Sequence, residues 1–102
     1  MKLKNEISKK KVLIYGLGKS GISALNYLKQ NNNCYIFDDD IKKNTKNLKK
    51  FFLNKSKIID DKFDKIILSP GININKCLLS NYLKKNLKKI ISDLDIFYEF
   101  RP

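Results

Sequence analysis

The chain has 102 residues, of which 42% are hydrophobic, enough for one small globular domain but too few for a two-domain enzyme. It has no histidine, which excludes a histidine-based metal site and a Ser/His nucleophile. No run approaches the roughly 18 apolar residues of a membrane span, and the first ten residues lack the apolar segment of a signal peptide, so a cytoplasmic protein is expected.

The formal net charge of +12 raises the question of a nucleic-acid partner. Of the 22 basic residues only Arg101 is an arginine, whereas recognition of bases and phosphates usually uses arginine side chains. The lysines are dispersed, and they occur together with many asparagines and isoleucines, whose codons are also A/T-rich. We therefore attribute the charge to compositional drift and expect no nucleic-acid partner.

The first half of the chain predicts a strand, a helix and a second strand. Residues 12–15 are a short apolar run, and residues 20–30 carry apolar side chains at helical spacing. Three asparagines end this helix, and the second strand, residues 34–37, is followed by three acids, Asp38 to Asp40.

The second half continues this alternation. The sequence predicts a lysine-rich helix with apolar side chains at 48 and 51–53, a short third strand at 58–59, and a fourth strand at 64–69 that ends at Pro70 and Gly71. A helix at 76–85 and a strand at 89–92 follow, and Asp93 is predicted to cap a last helix at 94–100. Together these elements predict an α/β fold: a Rossmann-like parallel sheet of about five strands with helices on both faces.

The two cysteines are predicted to be buried, reduced thiols. Cys34 falls in the second predicted strand and Cys77 in the helix at 76–85. They are far apart in sequence and lack C-x-x-C spacing, so a redox or metal motif is not indicated.

Gly16, Gly18 and Gly21 make a G-x-G-x-x-G motif directly after the first strand, and Asp38 closes the second strand. This is the layout of a dinucleotide-binding βαβ unit. Gly16 would permit the tight turn, Gly18 would let the backbone approach a phosphate, and Gly21 would let the helix pack near the sheet. The backbone N–H groups around Lys19 would face the anion.

The glycine turn has two other interpretations. The glycines also suit a strand-to-helix turn in an α/β domain without a ligand. The segment Gly18-Lys19-Ser20 resembles the end of an ATP-binding P-loop, but that loop needs a glycine where this chain has Leu13, so it is rejected.

The carboxyl ends of parallel strands meet at one edge of a sheet, which is where ligands of such sheets bind. The predicted edge gathers the glycine turn, the acids at 38–40, the turn Ser69-Pro70-Gly71, and residues 92–93. Ser69 and the backbone of Gly71 are therefore expected to form the second wall of a pocket.

Four segments carry a resemblance to a known family. They are Gly16-Leu17-Gly18-Lys19-Ser20-Gly21, Asp38 at the end of strand two, Ser69-Pro70-Gly71-Ile72, and Ile91-Ser92-Asp93-Leu94-Asp95-Ile96-Phe97. Together they resemble the N-terminal domain of the Mur ligases, most of all the members that add D-glutamate. The resemblance covers nearly the whole chain, from residue 11 to residue 100.

This resemblance implies a cytoplasmic ligase of peptidoglycan precursors, with residues 1–102 as a single UDP-binding domain for UDP-N-acetylmuramoyl-L-alanine. The backbone at Lys19 and Ser20 would take the diphosphate, Asp38 with its neighbours Asp39 and Asp40 would take the uracil end, and Gly71 would line the same pocket. Relatives often carry threonine and arginine where this chain has Asp39 and Asp40. Because carboxylates repel a diphosphate, the role of Asp38 is carried over more firmly than theirs.

The resemblance also implies ATP and magnesium in the full-length enzyme, held by a central domain, and a C-terminal domain that closes on D-glutamate. Neither domain is present in these 102 residues. The chain alone is therefore expected to contain no catalytic residues and no cofactor, and to be inactive without those domains. Two alternatives from other classes stay open. An NAD-binding module of an oxidoreductase or a regulatory sensor would use the same glycine turn and Asp38. A structural or interaction module would carry the lysines as a solvated surface.

Overall fold

A four-stranded parallel sheet forms the centre of the domain. The computed structural model describes residues 9–43 and 46–92. The strands are β1 (Lys11–Tyr15), β2 (Asn33–Phe37), β3 (Lys65–Leu68) and β4 (Ile90–Ser92). Their order is β2-β1-β3-β4, and every neighbouring pair is parallel. The predicted α/β class and parallel sheet are thus confirmed.

Short helices connect the strands. The α-helices are α1 (Lys19–Leu28), α2 (Lys55–Ile59) and α3 (Ser80–Lys85), and 3-10 segments cover Ile41–Lys43, Lys46–Phe51 and Leu87–Lys89. None of the helices within the described ranges is long and apolar enough to cross a lipid bilayer.

The central strand β1 is buried on both faces. Its residues 12–15 are all 0% exposed, and successive side chains of a strand point to opposite faces. Val12 and Ile14 join a core cluster with the apolar face of α1, including Ala24 and Leu25. The other two residues of the run join a second cluster on the opposite face, with these members among others: Leu13, Tyr15, Ile58, Phe63, Leu79 and Leu83. The continuous apolar run is therefore explained by layers packed on both sides of the sheet.

The predicted third strand at residues 58–59 is wrong, because these residues end the helix α2. The side chain of Asn54 caps this helix by accepting a hydrogen bond from the Lys57 N–H at 3.0 Å. Ile58 is buried while Ile59 is 50% exposed, as expected on the two sides of a helix. A two-residue apolar run does not distinguish a strand from one turn of helix.

Two predicted helices differ from those observed. The lysine-rich helix is a 3-10 segment, in which Leu48 and Phe51, three residues apart, both pack on the α1-side cluster. The helix predicted at 76–85 begins only at Ser80. Before it, the Asn73 side chain accepts a hydrogen bond from the Asn75 N–H at 2.9 Å, a local turn that competes with helix formation.

Both cysteines are free thiols. Cys34 is buried in β2, as predicted, and burial raises the pKa of its thiol to about 11. Cys77 is only half-buried and lies in the turn before α3, so its predicted place in a helix is wrong. The predicted cap at Asp93 and the helix at 94–100 lie outside the described residues.

Candidate functional site

The sheet brings the predicted site residues to one edge. In the register of the sheet, Tyr15 of β1 pairs with Phe37 of β2 and with Leu68 of β3. The next residue of each strand is therefore Gly16, Asp38 and Ser69, side by side where the three strands end. The prediction that these three turns meet at one edge of the sheet is confirmed.

Gly16 and Gly21 are required by the packing of the domain itself. Gly16 has a φ of +103°, and a Cβ on it would lie 2.6 Å from the Ser69 Oγ. A Cβ on Gly21 would lie 1.9 Å from the carbonyl oxygen of Gly16, so any side chain there would force the start of α1 away from the turn. These two glycines fix how closely α1 begins behind β1.

Gly18 is different, because the space beside it is open. It precedes the first residue of α1 in an extended conformation, with φ −72° and ψ −172°, and a Cβ on it would meet no atom within 4 Å. The first N–H groups of a helix have no partner inside the helix, and the first turn of α1 carries no acidic residue. Lys19 is exposed beside this turn, and Ser20 is half-exposed. The start of α1 therefore offers N–H donors and a positive dipole end to the solvent.

Asp38 ties the glycine turn to the end of β2. Its Oδ2 accepts a hydrogen bond from the Leu17 N–H at 2.7 Å, and its Oδ1 accepts one from the Asp40 N–H at 2.8 Å. Each carboxylate oxygen can accept a second hydrogen bond, so Asp38 retains capacity for a ligand donor. The sequence placed Asp38 at the site but did not reveal that it also holds the turn.

Asp38→Ala is therefore expected to lower both stability and ligand binding. Losing two hydrogen bonds that backbone N–H groups donate to a charged carboxylate should reduce the free energy of unfolding by about 1–3 kcal/mol. Urea unfolding followed by circular dichroism measures this. Asp40→Ala is the control, since the Asp40 side chain accepts only from the Lys42 N–H at 3.0 Å within the part of the chain that the structure describes. Equal stability of the two variants would contradict the bracing role of Asp38.

Asp39 faces a buried tyrosine. The Tyr15 hydroxyl donates a hydrogen bond to Asp39 Oδ1, and the Leu78 N–H donates to Asp39 Oδ2 at 3.3 Å. The Tyr15 hydroxyl also accepts from the Leu79 N–H at 3.4 Å. The pKa of Tyr15 is raised above its usual range, mainly because the side chain is buried and secondly because its hydroxyl forms a hydrogen bond with Asp39. Sequence reasoning missed this contact, since Tyr15 fits a buried apolar strand.

Ser69 and Gly71 form the turn after β3. The Ser69 hydroxyl donates to the Gly16 carbonyl at 3.2 Å, and the Ser69 N–H donates to the Tyr15 carbonyl at 3.1 Å. The Ile72 N–H closes the turn on the Ser69 carbonyl at 3.1 Å, leaving Gly71 exposed with no atom within 4 Å of a Cβ on it. Ser69 thus holds the glycine turn from the side opposite Asp38.

Other surfaces lack this convergence. A cavity of about 570 Å³ lies at the opposite edge of the sheet, near the start of β2, and includes Lys9, Lys29 and Asn33 in its lining but no predicted site residue. Among residues 9–43 and 46–92, no group of three or more His, Cys, Asp or Glu side chains could hold a metal ion. The strand-end edge is therefore the candidate site.

A parallel α/β sheet with a glycine turn after β1 and a bracing carboxylate after β2 defines a Rossmann-like domain. Residues 10–91 match the model of the family described as Mur ligase MurD-like, N-terminal domain. The chain belongs to this family, and the resemblance inferred from its motifs is confirmed.

Curated relatives agree with this assignment. The chain is 35% identical over 100 residues to a UDP-N-acetylmuramoylalanine--D-glutamate ligase of Rickettsia prowazekii, covering 93% of this chain and 22% of the relative. Proteins of the same name match from Caldicellulosiruptor saccharolyticus, at 30% identity over 89% of this chain and 22% of the relative, and from Francisella tularensis subsp. holarctica, at 36% over 88% and 19%. The chain thus spans about a fifth of the length of these relatives. No solved structure is significantly similar to it.

Proposed function

We propose that this domain binds the UDP part of UDP-N-acetylmuramoyl-L-alanine in a ligase that adds D-glutamate during peptidoglycan synthesis. The observation that carries the proposal is the contrast among the three glycines. The protein's own atoms explain Gly16 and Gly21, whereas Gly18 faces open space at the start of α1. A phosphate bound against the backbone there would account for the third glycine.

The geometry suggests how the ligand would lie. The diphosphate would accept hydrogen bonds from the N–H groups of Lys19 and Ser20 in the first turn of α1. The uridine end would donate to the free acceptor positions of Asp38, from the uracil N–H or a ribose hydroxyl. The exposed backbone of Gly71 would border the pocket on the β3 side.

The ligase reaction itself would need other parts of a longer protein. Acyl-phosphate formation uses a phosphate loop and magnesium ligands. Gly18-Lys19-Ser20 lacks the leading glycine of such a loop, and the described residues provide no metal-ligating cluster. ATP and Mg²⁺ therefore do not fit this domain. We assign both, together with D-glutamate, to the central and C-terminal domains of a longer cytoplasmic protein, and those domains would be the partners of the present one.

Calorimetric titration of the 102-residue chain tests the proposal. We expect UDP and UDP-N-acetylmuramoyl-L-alanine to bind more tightly than NADH. The NAD-binding alternative rests on Asp38, since an acid at the end of β2 also suits the ribose of an unphosphorylated dinucleotide. Tighter binding of NADH than of UDP by the folded chain would favour that alternative and overturn the ligase assignment of this site.

A further inference from the structure

The side chains of Asp38 and Asp39 form hydrogen bonds on opposite sides of the sheet, although the two residues are adjacent in sequence. Asp38 bonds to the N–H of Leu17, which belongs to the core cluster on the α1 side. Asp39 bonds to Tyr15 and to the N–H of Leu78, on the side of the second cluster.

Both oxygens of Asp39 are engaged on that second side. Tyr15 is 0% exposed, and its only hydroxyl proton goes to Asp39 Oδ1. A tyrosine hydroxyl keeps its proton at neutral pH, and burial together with the hydrogen bond to Asp39 raises the pKa of Tyr15 further. The Leu78 N–H holds the other oxygen at 3.3 Å, and the neighbouring Leu79 N–H reaches the Tyr15 oxygen. Three separate parts of the chain therefore meet at this one carboxylate: the end of β1, the end of β2 and the turn before α3.

We infer that Asp39 is a positioning residue for the UDP site and does not itself contact the ligand. Acting through Tyr15, it fixes the loop after β2, and this loop carries Asp38 into place beside the glycine turn. The same contacts hold the negative charge of Asp39 on the layer opposite the α1 N-terminus, where a diphosphate would bind. The inference rests on the proposed function and replaces the ligand contact that the family resemblance implies for Asp39.

A double-mutant cycle tests the inference, with the Kd for UDP measured by calorimetry on variants shown to be folded. Tyr15→Phe and Asp39→Ala are each expected to weaken UDP binding about three- to tenfold, the usual range for one hydrogen bond. The double variant is expected to bind no more weakly than the weaker single variant, because both substitutions remove the same contact. Asp39→Asn is expected to restore most of the affinity, since its amide oxygen still accepts from Tyr15.

Two matched controls separate this contact from general effects. Asp60→Asn makes the same change of charge at an exposed residue directly after α2, which is neither a predicted site residue nor a partner of Tyr15. Tyr35→Phe removes a hydroxyl from another tyrosine that packs on the same core cluster, where its ring lies edge-on to Phe63. Both controls should leave the Kd for UDP within about twofold of the wild-type value, because neither removes the Tyr15–Asp39 bond.

The outcomes distinguish this inference from the proposed function. Additive losses, or a Tyr15→Phe variant with unchanged affinity beside an Asp39→Asn variant as weak as Asp39→Ala, would show direct contact with the ligand and overturn the inference alone. Lower urea midpoints with an unchanged Kd for UDP would show that Tyr15 and Asp39 have only a structural role, and this result would also overturn the inference. Absence of UDP binding by the unsubstituted chain would overturn the proposed function, and the inference with it.

Discussion

Gly21→Ala is expected to destabilise the domain by about 2–4 kcal/mol, a large share of the stability of a chain of this size. The added methyl group would lie 1.9 Å from the carbonyl oxygen of Gly16, a distance that no real contact allows. Neither group is at the flexible end of a side chain, since one is fixed in the helix and the other in the turn. The first turn of α1 would have to move away from β1, and this would disturb the buried cluster on that side of the sheet. Urea unfolding followed by circular dichroism measures the loss.

Gly18→Ala is the matched control for this prediction. It makes the same chemical change three residues earlier, where the methyl group meets no atom within 4 Å. At the position that precedes a helix, replacing glycine by alanine costs at most about 1 kcal/mol. If Gly21→Ala unfolded at the same urea concentration as Gly18→Ala, the close approach of α1 to Gly16 would be wrong.

The sequence predicted the sheet well because the strands are short, apolar throughout and separated by clear turn residues. The burial of residues 12–15 on both faces follows directly from that pattern. The strand predicted at Ile58-Ile59 is wrong because two apolar residues show no periodicity. The cap at Asn54 and the packing against the sheet favour a helix there. Local pattern therefore predicted the apolar strands and the amphipathic helix α1, but not the conformation of the two-residue run at 58–59.

The candidate site divides in the same way. The spacing of Gly16 and Gly21, and the position of Asp38, were readable because backbone geometry alone imposes them. The contact between Tyr15 and Asp39 was not, since it joins residues 24 apart through side chains whose directions depend on the assembled sheet. The role of Asp39 at the uracil end, which the family resemblance implies, stays a prediction beside the contact with Tyr15.

Gly18→Val should lower the affinity for UDP to that of uridine while the domain stays folded. The two added methyl groups and the Cβ would occupy the open space beside the first turn of α1, where the proposed diphosphate approaches the backbone. No atom of the described residues fills that space, so the substitution tests ligand binding and not packing inside the protein. A decrease in affinity of more than about tenfold is expected by calorimetry, since the diphosphate would lose its N–H donors.

Two comparisons make this result specific. Ser23→Val adds a valine at an exposed position of the same helix, and it should leave the Kd for UDP unchanged. Uridine lacks the diphosphate, so its weaker binding should change little in Gly18→Val, whereas binding of UDP should fall to the level of uridine. A folded Gly18→Val variant that binds UDP as the unsubstituted chain does would show that no phosphate lies at this turn. The third glycine of the motif would then be a feature of the turn alone, and the UDP site would have to be sought away from the start of α1.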